Sequence, residues 1–253
     1  MKTVLQIIPS LKQINGGVER GTLDIAKELA ENNFKSVIIS SGGEMAEKYK
    51  YKGVDHHKIE IESKGFLNFF SSKSSFKKIL DDIQPDLIHI RSRWPAFCFS
   101  KEIKNRKIPL VTTYHGTYSG NNNFLKKKYN KVMTNGDSVI TISKFIDDHV
   151  RFFFPEARKR LVQINRGIDT DYFNLKSVSL VRKENILKSL SIPENTHIVL
   201  LPARLTSWKG HLVAIEALNE VLKMNLDLKI LMLFVGSENK GDKFTKKIKK
   251  RIK

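Results

Sequence analysis

Short apolar runs alternate with helix-period patterns along most of the chain, and this alternation limits the fold more than any other feature. Residues 3–8, 36–40, 86–90, 110–114, 138–142 and 160–164 read as strands. Several are apolar at consecutive positions, as strands covered by helices on both faces must be. Between them, Val18, Thr22, Ile25, Ala26 and Leu29 share one helical face, and 66–83, 94–106, 124–135 and 143–153 carry further helical patterns. This order predicts an α/β fold, with a doubly wound parallel-sheet domain over residues 1–165.

The pattern restarts in residues 166–253. Residues 172–190 read as a helical connector, 197–203 and 228–235 as strands, and 210–224 as a helix. The last fifteen residues, 239–253, hold eight basic residues against the single acid Asp242. Two strands are fewer than the five or six of a doubly wound domain, so this second, Rossmann-like domain is expected to be incomplete.

Charge narrows the partners. There are 45 Lys and Arg against 26 Asp and Glu, a net +19 over 253 residues. Such an excess suits an anionic partner: nucleic acid, an acidic membrane surface or a phosphorylated substrate. A nucleic-acid reading requires a recognisable module, and none is found, so nucleic acid is not expected as a partner. The lone Cys98 excludes an intramolecular disulfide and a multi-cysteine zinc site. No stretch reads as a signal peptide or membrane span, so a cytoplasmic location is expected.

Five segments carry candidate chemistry. Gly16-Gly17-Val18-Glu19-Arg20 joins the first strand to the first helix, either as a loop that brings backbone N–H groups to an anion or as a plain tight turn. His115, between Tyr114 and Gly116 at a strand's C-terminal end, either faces a crevice or is structural. Arg204 and Lys209 follow the strand that opens the second unit, where ligands bind such sheets; a guanidinium fork and an ammonium suit a diphosphate. Asp169 and Asp171 form a D-x-D, better read as a helix start than as a metal site. Residues 65–80 interleave aromatics with lysines, which suits either an interfacial membrane contact or a helix packed on the sheet; residues 151–154 are similar. His56 and His57 read as surface residues and His89 as a satisfied core histidine.

Taken in order, these residues resemble the retaining GT-B glycosyltransferases of the family 4, or group 1, type. The matching segments are Gly16-Gly17-Val18-Glu19-Arg20, Tyr114-His115-Gly116, Val139-Ile140-Thr141-Ile142-Ser143, Asn165-Arg166-Gly167-Ile168-Asp169 with Tyr172-Phe173, and Arg204-Leu205 followed by Trp208-Lys209-Gly210. The resemblance implies two Rossmann-like domains facing across a cleft. Residues 1–165 would bind the acceptor and 166–253 the nucleotide-diphosphate-sugar donor. It assigns Arg204 and Lys209 to the leaving diphosphate and His115 to the donor sugar. Gly16, Gly17, Glu19, Arg20, Gly167 and Asp169 become donor- or acceptor-binding residues, with no metal and no cofactor. It further implies a saccharide or lipid-linked acceptor of the cell envelope, such as a lipopolysaccharide, and a peripheral location on the inner face of the plasma membrane.

Two departures stand out. Arg166 is an extra residue in the family's common N-G-V. The family's E-x7-E segment, which holds sugar and ribose hydroxyls, would lie beyond Lys253. The resemblance therefore implies a transferase impaired by truncation, or an inactive derivative acting as a binding module.

Overall fold

The computed structural model describes residues 1–12, 17–63, 65–120, 122–224, 227–238 and 242–252. They form two compact units, Met1–Gly167 and Ile168–Lys253.

The first unit is a seven-stranded sheet in the order β3-β2-β1-β4-β5-β6-β7, parallel throughout. Its strands are β1 (Thr3–Ile7), β2 (Lys35–Ser40), β3 (Val54–Lys58), β4 (Leu87–Ile90), β5 (Leu110–Tyr114), β6 (Ser138–Thr141) and β7 (Leu161–Gln163). The helices between them are α1 (Gly17–Glu31), α2 (Glu44–Lys48), α3 (Phe66–Ile83), α4 (Arg93–Asn105), α5 (Phe124–Asn130) and α6 (Lys144–Phe153).

Strand alternation sorts the core into two layers. Leu5, Ile7, Val37, Ile39, Ile88 and Ile90 pack with Phe76 and Leu80 of α3 and Phe99 and Ile103 of α4. Ile8 and Ile38 join Leu23 and Ala26 of α1 and Met45 of α2 in a second cluster. Gln6 is fully buried and donates its amide to the Thr22 carbonyl of α1 at 3.0 Å. Ile25, expected on the buried face of α1, is exposed; Leu23 takes its place in the core. Cys98 is buried in α4, and burial pushes its thiol up to about 12, so it serves packing.

Strand β3 has no counterpart in the expected elements. Its sequence, Val-Asp-His-His-Lys, is polar because it is a sheet edge. His56 lies there, exposed, with Nε2 2.8 Å from Ser40 Oγ. The helix expected over 124–135 ends at Asn130 and continues as a 3₁₀ turn, Lys131–Thr134.

The second unit contains α7 (Leu180–Ser189), β8 (Thr196–Pro202), α8 (His211–Lys223), β9 (Lys229–Val235) and α9 (Lys243–Ile252), with β8 and β9 parallel. The helical connector expected over 172–190 is broken in two. Asn174 caps a 3₁₀ turn by accepting from Ser177 N, and Ser179 caps α7 by accepting from Arg182 N. Two capping side chains five residues apart set two starts rather than one continuous helix. The basic tail is also not simply solvated: α9 buries Thr245 and Ile248 while its lysines lie outside. Ile198, Val199 and Leu200 of β8 are exposed.

Candidate functional site

Strand order places a crevice in the first unit. From β1 the chain winds outward to β2 and β3, and from β4 it winds the other way, so β1 and β4 flank the switch point where such sheets bind ligands. A cavity of about 230 Å³ opens at their C-terminal ends, lined in part by Pro9, Glu19, Arg91, Arg93, His115 and Tyr118.

His115 follows β5 directly. Arg166 donates from Nη2 to His115 Nδ1 at 2.9 Å and from Nη1 to the Gly17 carbonyl at 2.5 Å. Because Nδ1 accepts, the proton of the neutral ring sits on Nε2. Nε2 is buried and has no partner among the described residues. Burial, then Arg91 and Arg166, push the imidazole down to about 3. The ring is therefore a neutral hydrogen-bond donor at the crevice at any physiological pH.

Behind it, His89 is buried with Nε2 2.7 Å from Thr113 Oγ1, a satisfied core histidine as expected. Arg91, at the end of β4, is buried, and burial foremost, then Arg166, bring its guanidinium down to about 10. Arg93 stacks over Tyr118 at 4.0 Å and donates to Asn130 Oδ1 at 2.7 Å. Burial pushes Tyr118 up to about 12, so its hydroxyl stays protonated.

The expected site residues separate into groups. Glu19 lines the cavity and Gly17 contacts Arg166. Gly16 lies outside the described residues. Arg20 is turned to Asp24, at 2.8 Å, and to the Tyr49 ring, at 5.2 Å, and does not line the cavity. Gly167 is exposed, with nothing within 4 Å of where a Cβ would stand. Asp169 caps a single turn, accepting at Oδ1 from Tyr172 N at 2.9 Å and Asp171 N at 3.1 Å. Its carboxylate thus takes the capping role expected of a helix start. Among the described residues no cluster of three His, Cys, Asp or Glu could hold a metal ion.

In the second unit, Arg204 and Lys209 are both exposed on the segment from β8 to α8. Gly236 holds that segment against the end of β9: a Cβ there would lie 2.2 Å from the Ala203 carbonyl oxygen, and Leu205 N donates to Ser237 O at 3.1 Å. A 3₁₀ turn, Ser207–Lys209, then leads through Gly210 at φ 80° into α8.

The sequence reading did not single out Arg91 or Arg93. The signal was available: a cation immediately after a strand, the same argument that selected Arg204.

A doubly wound parallel sheet with a crevice at its switch point places the first unit in the class of α/β proteins that bind ligands at the C-terminal ends of their strands. Residues 15–172 match the model of Glycosyltransferase Family 4, and the chain belongs to that family. It is 24% identical over 225 residues to an uncharacterized glycosyltransferase of Methanocaldococcus jannaschii, covering 83% of this chain and 57% of that protein. A glycosyltransferase structure from Rickettsia africae superposes with a TM-score of 0.84 at 31% identity, covering 99% of this chain and 64% of the other. Anabaena HepE, solved with UDP and glucose, superposes at 0.75 with 18% identity, covering 100% and 66%. The chain thus spans roughly three fifths of these relatives' length, and the fold is that of GT-B glycosyltransferases.

Proposed function

We propose that the chain forms part of a retaining glycosyltransferase that moves a sugar from a nucleotide-diphosphate sugar to a saccharide or lipid-linked acceptor of the cell envelope. The observation that carries this reading is His115, held neutral foremost by burial and fixed in tautomer by Arg166, with an Nε2–H that has no partner among the described residues at the switch-point crevice. Such a donor grips a sugar hydroxyl without adding charge. In the reaction the bond from the anomeric carbon to the diphosphate oxygen breaks. The acceptor oxygen forms its bond on the same face, and its proton passes to the departing diphosphate. Negative charge grows on the leaving group, so Arg204 and Lys209 are the residues to stabilise it. No metal or cofactor is needed in this scheme.

The acceptor side is proposed to sit at an anionic membrane. Among the described residues no helix is long and apolar enough to cross a membrane. The first turns of α3 and α4 instead present an aromatic surface. Leu67, Phe70 and Phe97 are exposed, Phe97 stacks on Trp94 at 5.7 Å, and Tyr129 meets Phe97 at 5.9 Å. Lys73 lies 4.7 Å over Phe69, and exposed Phe124 and Leu125 adjoin Lys126, Lys127 and Lys128. The rest of α3 packs on the sheet through Phe76 and Leu80, as the packed-helix reading of residues 65–80 expects, and the membrane contact is proposed for its first turn alone. In residues 151–154, Phe152 is exposed and Phe154 is core.

The alternative outcome is a binding module without turnover. The test is release of nucleoside diphosphate and transfer by residues 1–253 with a panel of nucleotide sugars and saccharide acceptors. Acceptor-dependent release with the anomeric configuration retained supports the transferase. Donor binding without release supports the binding module, and absence of both removes the proposal.

A further inference from the structure

A second cavity lies between α4 and the 3₁₀ turn that follows α5, and it shares no lining residue with the switch-point crevice. It has a volume of about 360 Å³ and is lined in part by Ala96, Phe97, Lys101, Lys104, Val132 and Asn135. Phe97, Lys101 and Lys104 follow one another at four- and three-residue spacing, so one strip of the helix runs from an exposed ring to two exposed ammonium groups. No acid lines the cavity, and among the described residues neither lysine has a carboxylate within ion-pair distance. Glu102, between them in sequence, is turned to Lys77 at 3.6 Å and Arg106 at 2.8 Å. Like charges three residues apart on a helix disfavour each other, and an anion held between them removes that cost.

The apolar part of the wall continues into the aromatic surface. Phe97 stacks on Trp94 at 5.7 Å and meets Tyr129 at 5.9 Å and Phe69 at 6.3 Å. Lys101 and Lys104 stand about 6 and 10 Å from Phe97 along the helix axis. The headgroup layer on each side of a bilayer is about 5–7 Å thick, so with Phe97 at the edge of the hydrocarbon both ammonium groups are within reach of the phosphates. The volume lies near the lower end of the roughly 300–1,000 Å³ of small-molecule pockets, enough for a phosphate with its glycerol and too little for acyl chains. Arg93, at the crevice, precedes Lys101 by about 12 Å and Lys104 by about 16 Å along the same axis. A phosphate held by the two lysines therefore stands apart from His115.

We propose that this cavity binds the headgroup of an anionic phospholipid, with the phosphodiester between Lys101 and Lys104 and the glycerol against Ala96, Phe97 and Val132. The lipid is an anchor for the first unit and not the acceptor. In taking that lipid from a bilayer the proposal rests on the membrane reading above; the lipid site itself does not.

The test is titration of residues 1–253 with monomeric dihexanoyl phosphatidylglycerol, dihexanoyl phosphatidylcholine and glycerol 3-phosphate, followed by the NMR methyl signals of Ala96 and Val132. Co-sedimentation with phosphatidylglycerol and phosphatidylcholine vesicles accompanies it. The expected result is that the phosphatidylglycerol shifts both methyl signals saturably and binds at least about tenfold more tightly than either other probe. Lys101→Gln combined with Lys104→Gln should weaken that binding at least about tenfold, and both side chains are exposed, so the fold is kept. Phe97→Ser should weaken the lipid several-fold and leave glycerol 3-phosphate unchanged. Silent methyl signals, equal affinity for the two lipids, or an affinity indifferent to the double substitution overturns the proposal. Glycerol 3-phosphate binding as tightly as the lipid also overturns it, because the site would then take a soluble anion. Vesicle binding with silent methyl signals keeps the membrane reading and removes the cavity site. Shifted methyl signals without vesicle binding keep the lipid site and remove the membrane reading.

Discussion

Arg166 places Nη2 2.9 Å from His115 Nδ1, so a residue that breaks the family's usual N-G-V fixes the tautomer of the crevice histidine. Burial foremost, then Arg91 and this Arg166 contact, give stability a pH dependence. His115 is held near 3 in the folded chain, below its ordinary 6.5. Between those values the unfolded chain binds a proton that the folded chain does not, so stability falls as pH drops from about 6.5 towards 3. Above 6.5 the ring is neutral in both states and contributes nothing. Each pH unit inside the window costs at most about 1.4 kcal/mol from this residue. Denaturant unfolding of the wild type and of His115→Gln at pH 7.5 and 5.5 measures it. The wild type should lose more stability on acidification than the variant; equal losses would sink the assignment.

Gly17→Ala should loosen the same contact without unfolding the chain. A Cβ at Gly17 would stand 2.5 Å from Arg166 Nη1, the tip of a flexible side chain. The guanidinium can move away, giving up the Gly17 carbonyl and His115 together. Stability should change by no more than about 1 kcal/mol, since alanine also favours the helix. The histidine should titrate at higher pH once the cation has withdrawn. An NMR titration of His115 that is unchanged in Gly17→Ala would show that Arg166 does not control it.

The legible part of the fold was the part that burial writes into sequence. β1, β4 and β5 are covered on both faces and carry consecutive apolar residues. β3 is an edge whose five residues include only Val54 as an apolar side chain, so hydrophobic periodicity passes over it. Residues 172–190 failed for a different reason: their polar periodicity resembles a helix, but Asn174 and Ser179 compete with it as caps. The site divides in the same way. His115 and Glu19 sit beside recognisable motifs, whereas Arg91 and the reach of Arg166 across 51 residues of sequence depend on which strands are neighbours. Strand order is a property of tertiary packing and is absent from any local pattern.

Arg204→Ala should reduce kcat/KM for transfer by about 100-fold, equal to roughly 3 kcal/mol of lost transition-state stabilisation, as expected for one preorganised donor. Arg204→Lys should fall between, because it keeps the charge and loses the fork. Lys209→Ala should cost less than Arg204→Ala. Both side chains are exposed, so neither substitution should move Tm appreciably. Gly236→Ala makes a useful contrast. Its Cβ would meet backbone atoms of Ala203 at 2.2 and 2.6 Å, which cannot swing aside, so it should destabilise the second unit by about 1–3 kcal/mol. Steady-state kinetics and thermal unfolding on the same preparations check both, and full turnover by Arg204→Ala would show that the diphosphate lies elsewhere.

Vesicle binding should depend on the aromatic surface and on its lysines in separable ways. Exposed Leu67 and Phe70 offer apolar area that any bilayer interface accepts, whereas Lys126, Lys127 and Lys128 respond only to negative lipid. Each cation near an anionic surface contributes about 1 kcal/mol, screened by salt. Replacing the three lysines by alanine should therefore weaken binding to vesicles containing anionic phospholipid by up to about 100-fold, and raising the salt should do much the same. Phe70→Ser should weaken binding at every salt concentration, because it removes area rather than charge. Co-sedimentation with neutral and anionic vesicles at low and high salt reads out all four cases. Wild-type binding that is equal on both lipids and indifferent to salt would mean that the lysines beside Phe124 and Leu125 do not face a membrane.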